Sequence, residues 1–208
     1  MVGKDIKTVW EEYEKSLQGT GFFGTPQKVD IHIENAKALL VSGLRYYCGE
    51  SAVWQPEYDG VAEWLTDNKG RGLWLCGECG RGKTLIGAKI LPVLFNFYHF
   101  PRKIITLYDA KDLNSKFDEI VKKHIIYIDD VGKESVDVSY GNRNLRFPDI
   151  VDEAEKKGKL LIFSTNCSQE KMMEKYGDRT VDRKCCKCNN HRYRCCSYNN
   201  AEGRPGTG

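Results

Sequence analysis

The sequence predicts an α/β fold on three observations. Leu73 to Cys76 is an apolar run long enough for a buried strand, and it opens into a glycine-rich stretch followed by a helical pattern. His124-Ile125-Ile126-Tyr127-Ile128-Asp129-Asp130 is a second apolar run, ending in two carboxylates. Leu160 to Phe163 is a third, and delivers Ser164, Thr165 and Asn166 to its C-terminal end, where ligands of open α/β sheets bind.

The first run is the most informative. Gly77-Glu78-Cys79-Gly80-Arg81-Gly82-Lys83-Thr84 matches G-x-x-x-x-G-K-[ST], the phosphate-binding P-loop or Walker A motif. The glycines let the backbone turn so that successive N–H groups point at phosphate oxygens. The helix that follows aims its positive end at the same anion. Lys83 can reach the β- and γ-phosphates, and the Thr84 hydroxyl can ligand Mg²⁺. The candidate ATP-binding residues are therefore Gly77, Glu78, Cys79, Gly80, Arg81, Gly82, Lys83, Thr84 and Leu85. A chance glycine-rich turn is the competing reading; four fixed positions between a strand and a helix tell against it. Beside a P-loop, the run ending in Asp129-Asp130 is the Walker B pattern. Asp129 would hold Mg²⁺ through water, and Asp130 would orient or deprotonate the attacking water. Asn166 could hydrogen-bond the γ-phosphate or that water.

Length and composition set the bounds. A chain of 208 residues suits one domain with an appendage, and a net charge of +3 is too small to demand a nucleic-acid partner. No run approaches the ~18 apolar residues of a membrane span. Met1-Val2-Gly3-Lys4-Asp5 opens into a charged helix rather than a signal core, so a cytoplasmic protein is expected. Of nine cysteines, Cys48, Cys76, Cys79 and Cys167 are scattered and the rest crowd between Cys185 and Cys196, unlike a secreted disulfide framework.

The remaining elements follow from periodicity. Asp5 to Leu17 reads as a helix with Ile6, Val9, Trp10 and Tyr13 on one face, and Gly19 to Pro26 breaks it. Ile31 to Tyr47 is a second helix, with Ala36, Leu39, Leu40, Gly43, Leu44 and Tyr47 at helical spacing. Gly49 to Gly60 is a loop carrying Trp54, Pro56 and Tyr58, and Val61 to Leu65 starts a short helix. After the P-loop, Ile86, Ile90, Val93, Leu94 and Phe97 form a buried helical face in which Pro92 should kink the helix or tighten one turn. Lys103 to Tyr108 is a strand. Ala110 to Val121 is a helix turning Leu113, Phe117 and Ile120 inward. Gly132 to Phe147 is a polar loop. Pro148 begins a helix that Gly158 ends. Ser168 caps another through Tyr176. Gly177 to Arg183 follows, with Arg179 and Arg183 on one helical face.

Taken together, Gly77–Thr84, the double Asp and trailing Val-Gly of Ile125–Gly132, the Ser-Thr-Asn of Phe163–Ser168 and Tyr176–Arg183 resemble the DnaC/IstB-like group of AAA+ ATPases. The likeness runs from about Val61 to Arg183 and is to bacterial and phage replication proteins of the helicase-loader type. It implies a parallel sheet flanked by helices in the additional-strand P-loop order, with Asn166 as sensor 1. Arg183 would be the arginine finger reaching a neighbouring subunit's ATP, with Arg179 the weaker candidate. It further implies a homo-oligomer formed on ATP and single-stranded DNA, and a replicative helicase as partner, gripped by the N-terminal region. The division expected is a helical N-terminal region over 1–60, an ATPase core over 61–183 and a Cys-rich tail over 184–208. Lys111, Lys116, Arg143 and Arg146 are candidate DNA contacts because they lie in polar segments near strand ends.

Three other functions compete. An IstB-like transposition helper shares the core. A P-loop nucleotide kinase is opposed by the double Asp and Asn166, which suit water attack. A nucleic-acid binder that holds ATP without turning it over remains. The tail departs from the family. After Val181 there is no Val, Leu, Ile, Met, Phe or Trp, so the family's final apolar strand and sensor 2 arginine are missing, and Arg204 is no substitute. Leu73–Cys76 should then be a sheet edge. Zinc held by Cys185, Cys188, Cys195 and Cys196 or His191 is one reading, opposed by a single C-x-x-C and by adjacent cysteines. The preferred one is a non-native ending, such as a frameshifted or truncated reading of the gene. Such a tail would be largely disordered, because so little apolar surface cannot offset its ordering entropy.

Overall fold

The computed structural model describes residues 5–17, 26–134, 137–139 and 142–184, with backbone alone at 137–139, 142–144 and 182–184. Four strands form a parallel sheet: β1 (Leu73–Cys76), β2 (Thr106–Asp109), β3 (Ile125–Val131) and β6 (Leu160–Thr165), in the order β1-β6-β3-β2. The strand after the Walker B strand is thus inserted beside the P-loop strand, as the additional-strand order requires. β1 stands at the edge among the described residues, as expected.

Period-two alternation sorts the strand residues between two cores. Leu73, Leu75, Ile125, Tyr127, Leu160 and Ile162 face one of them. There they meet Ile31 and Ile33, helices α2 (Ala36–Cys48) and α3 (Glu57–Thr66), and the helix after the P-loop. Ile126, Ile128, Leu161 and Phe163 face the other core, with Leu113, Ile120, helix α6 (Arg146–Lys156), helix α7 (Gln169–Tyr176) and Val181 of α8 (Asp178–Lys184). Burial on both faces is why the two central strands, β3 and β6, read as continuous apolar runs.

Several boundaries differ from those expected. The second helix starts at Ala36, not Ile31, because Asn35 is left-handed (φ 54°). Residues 29–33 are instead outside any helix or strand and are bonded to the turn before β1 and the end of α3. Buried Asn68 accepts from the Ile31 N–H (2.8 Å) and donates to the carbonyls of Val29 (3.0 Å) and Arg71 (3.1 Å). α3 begins at Glu57, behind Pro56, so Tyr58 belongs to a helix and is buried. Ala110–Val121 is broken: the Asp109 carboxylate accepts from the Lys111 N–H and starts a single 3₁₀ turn, and α-helix α5 is only Phe117–Ile120. The expected loop 132–147 contains an antiparallel ribbon, β4 (Asp137–Ser139) with β5 (Asn142–Asn144). α6 starts two residues before Pro148, which the first turn tolerates because its N–H groups have no helical partner.

The helix after the P-loop differs most. Residues Leu85–Ile90 form a π turn, continued by α4 (Leu91–Phe97). Pro92 has no N–H to offer, and the turn ahead of it widens rather than tightens. The wider turn rotates everything beyond it. Ile86, Ile90 and Leu94 stay buried as expected, but Leu91 and Phe95 replace Val93 and Phe97, which are 42% and 72% exposed. Helix α1 (Ile6–Ser16) has no buried residue, and its Ile6, Val9, Trp10 and Tyr13 stripe is exposed. No described helix is long and apolar enough to cross a membrane. The tail residues 185–208, including Cys185, Cys188, His191, Cys195, Cys196 and Arg204, lie outside the described residues.

Gly87 is where the helix meets the sheet. A Cβ there would lie 2.1 Å from the Tyr127 ring, which is only 1% exposed and has nowhere to go. Gly87→Ala should cost about 1–3 kcal/mol through overpacking, read from denaturant unfolding. A loss under about 0.5 kcal/mol would show that the ring has room to move.

Candidate functional site

The P-loop lies at the carboxyl end of β1. Gly77, Gly80 and Gly82 have φ of 141°, 85° and 74°, values that residues with a Cβ rarely adopt. Tyr58 backs the loop: its hydroxyl donates to the Arg81 carbonyl (3.1 Å) and would stand 2.8 Å from a Cβ on Gly82. The Arg81 guanidinium turns away from the loop, donating to Gln55 Oε1 (3.0 Å) and pairing with Glu57 (3.6 Å). The loop is therefore held from outside by the start of α3. Glu78, Cys79 and Gly80 at its tip are exposed. Leu85 is the first residue of the π turn.

Lys83 curls over the loop, donating to the carbonyls of Gly77 (2.7 Å) and Glu78 (2.8 Å). Burial pulls its ammonium below the ordinary lysine range, and the nearby Asp130 and Asp129 carboxylates oppose that shift.

Asp129 Oδ1 gathers three hydroxyls from three segments: Thr84 Oγ1 (3.1 Å), Tyr127 Oη (2.6 Å) and Ser164 Oγ (2.5 Å). Burial first, and then this bond to Asp129, push the Tyr127 hydroxyl well above its usual range, so it stays protonated and donates. Neither Tyr127 nor Ser164 was assigned to the site from the sequence. Tyr127 was legible in principle, since it lies two residues before Asp129 and side chains on a strand share a face at that spacing. Ser164 was legible only as part of Ser-Thr-Asn.

Asp130 leaves the strand geometry. The β3–β6 register shifts between Ile128 and Val131, so Asp129 and Asp130 together oppose Ser164. Asp130 is left-handed (φ 57°), and its N–H donates to Ser164 Oγ (2.9 Å). Asn166 Nδ2 donates to one of its carboxylate oxygens (2.9 Å) and Lys133 Nζ to the other (2.8 Å). Lys133 carries no sequence signal for this contact; the turn at Gly132 delivers it.

The fold thus brings Lys83, Thr84, Asp129, Asp130 and Asn166 together at one end of the sheet. Arg183 lies on α8, and its side chain is outside the described residues, as is that of Arg143. Arg179 is exposed. Lys111 is exposed beside the end of β2, and Lys116 pairs with Asp112 (2.8 Å). Arg146 is folded over the Phe117 ring (4.9 Å) and lies near Asp149 (3.6 Å), which makes it a packing residue as much as a surface cation.

A P-loop after the edge strand, an acidic pair at the end of β3 and an inserted β6 between them define an α/β P-loop fold of the additional-strand type. Among solved structures the chain is similar to the DnaC helicase loader, at 17% identity and a TM-score of 0.44 over 83% of this chain and 93% of that one. It is also similar to DnaI, at 21% identity and a TM-score of 0.41 over 72% of this chain and 80% of that one. No family model and no curated protein sequence matches the chain.

Ser164→Ala would remove a donor to Asp129 and the acceptor for the Asp130 N–H in a fully buried position. The loss should be about 1–3 kcal/mol, seen as a lower urea midpoint at unchanged slope. An unchanged midpoint would show that the bulge holds without the hydroxyl.

Proposed function

We propose that this protein binds and hydrolyses ATP as an AAA+ ATPase and acts in DNA replication as a helicase loader. One observation carries the ATPase reading: Thr84, from the end of the P-loop, donates to Asp129, and Asn166, from beyond β6, donates to Asp130, so three separate segments meet at the acidic pair. The helicase-loader reading is supported by the ordered sequence motifs alone.

The donor set suits magnesium. The Thr84 hydroxyl and the Asp129 carboxylate are hard oxygens already in contact. Thr84 and Asp129 would hold Mg²⁺, which supplies positive charge against the phosphates when bound. Lys83 supplies the phosphate contact from within the loop. Asp130 takes the water-orienting role, its carboxylate fixed by Asn166 and Lys133. This pairing also disfavours a kinase, which needs an acceptor site instead of a water-directing pair. Arg183 would reach the ATP of a neighbouring copy, making the active form an oligomer assembled on ATP and single-stranded DNA.

Lys83→Ala removes a charge-assisted contact and should weaken ATP binding about 10- to 100-fold, as titrated with a fluorescent ATP analogue. Asp130→Asn should bind within about twofold of the parent and turn over far more slowly. Unchanged affinity in Lys83→Ala would remove the site assignment.

A finger acting in trans is worth about 10³–10⁵ in rate, so specific activity should rise steeply with protein concentration. Mixing Arg183→Ala with Lys83→Ala should restore activity, since one supplies an intact site and the other the finger. No rescue between folded, associating variants would count against a shared site.

A further inference from the structure

The turn that follows the acidic pair is tied down by a carboxylate that the hydrolytic reading does not use. Glu134 is buried, with its side chain 2% exposed. Its Oε2 accepts the Gly132 N–H (2.7 Å), and its Oε1 accepts the Tyr176 hydroxyl. Lys175 Nζ lies 3.7 Å from Oε2 and donates to the Gly132 carbonyl (2.7 Å). The Val131 carbonyl accepts from Thr165 Oγ1 (2.5 Å), and the Lys133 N–H donates back to the Asp130 carbonyl (3.2 Å). Every backbone polar group from the Val131 carbonyl to the Lys133 N–H is engaged.

A buried carboxylate is a poor device for stability, because well-packed apolar residues would serve as well or better. Its use here is directional. Asp130 holds a left-handed conformation, uncommon for residues with a Cβ though more accessible to Asp than to most. Gly132 (φ 110°) turns the chain directly afterwards, with a Cβ there only 2.7 Å from Cys167 Sγ. Lys133, delivered by the same turn, holds the second Asp130 oxygen. Glu134 fixes that turn against α7, through a tyrosine wedged on Phe147 (ring centroids 5.0 Å apart).

We propose that Glu134 is a positioning residue for Asp130: with Tyr176 and Lys175 it locks the Val131–Lys133 turn, and so sets the direction of the carboxylate that orients water. The proposal rests on the reading of Asp130 as the hydrolytic carboxylate. Glu134 itself touches neither nucleotide nor metal in this account, so its removal leaves binding intact and slows turnover.

The test uses the full chain with Glu134→Gln and Tyr176→Phe, each alone and the first also combined with Asp130→Asn. Three readouts are needed: affinity for a fluorescent ATP analogue, kcat per bound nucleotide, and amide exchange of the peptide covering 131–134. Both single variants should bind within about twofold of the parent, lose about tenfold or more in kcat, and exchange faster at Gly132 while β3 and β6 stay protected. Glu134→Gln should take nothing further from Asp130→Asn, since a residue acting through Asp130 has no effect once that carboxylate is gone. An undiminished kcat in a folded variant of an active parent overturns the proposal, as does an added loss in the Asp130→Asn background. If Glu134→Gln fails to fold, Tyr176→Phe decides alone. A parent that binds ATP without turning it over overturns the hydrolase reading and the proposal with it. The exchange readout tells that case apart, because it reports the brace whether or not ATP is hydrolysed.

Discussion

One carboxylate oxygen, Asp129 Oδ1, ties the site together. It receives hydroxyls from Thr84 beyond β1, from Tyr127 within β3 and from Ser164 within β6. A half-buried carboxylate recovers the hydration it loses from fixed donors, and here three segments supply them. That requirement sets much of the surrounding structure. β6 must lie between β1 and β3 for Ser164 to be within reach, Tyr127 must point to the same face as Asp129, and the helix after the P-loop must give up a side chain at Gly87 to admit the Tyr127 ring.

The two acids are adjacent in sequence yet are given different surroundings. Asp129 is met by neutral hydroxyls and lies against Thr84. Asp130, at the bulge, is met by an amide and an ammonium. Two neighbouring carboxylates on a regular strand would point to opposite faces of the sheet. The extra residue opposite Ser164 instead brings both to the same end of the sheet with different partners. Different partners allow two like groups to take different roles.

The segment ahead of β1 also serves the site. Ile31, Leu40 and Leu44 share a core with Leu75 and Ile86, and Asn68 ties the chain at 29–31 to the turn before β1. Tyr58 and Gln55 then hold Arg81 and the back of the P-loop. A flexible glycine-rich loop binds phosphate best when its shape is imposed before the ligand arrives, and these contacts impose it from residues with no phosphate-binding motif of their own.

Local sequence determined the strands, because a buried parallel strand needs an uninterrupted apolar run and Leu73–Cys76, Ile125–Ile128 and Leu160–Phe163 are such runs. It also determined the P-loop, whose glycines and Lys83-Thr84 are required by phosphate geometry at fixed spacing, and the Ser168 cap, which depends on one side chain and an N–H three residues on. Tertiary structure decided the rest. The inward face of the helix after the P-loop depends on a π turn, which no helical periodicity encodes. The second helix starts at Ala36 because the Ile31 and Ile33 N–H groups are taken by Asn68 and Leu65, more than thirty residues away, and Asn35 is left-handed. Ser164 and Glu134 acquired their places only when β3, β6 and α7 came together. Ser164 meets Asp129 across the β3–β6 pair and Glu134 meets Tyr176 on α7, and a distance set by packing leaves no fixed spacing along the chain.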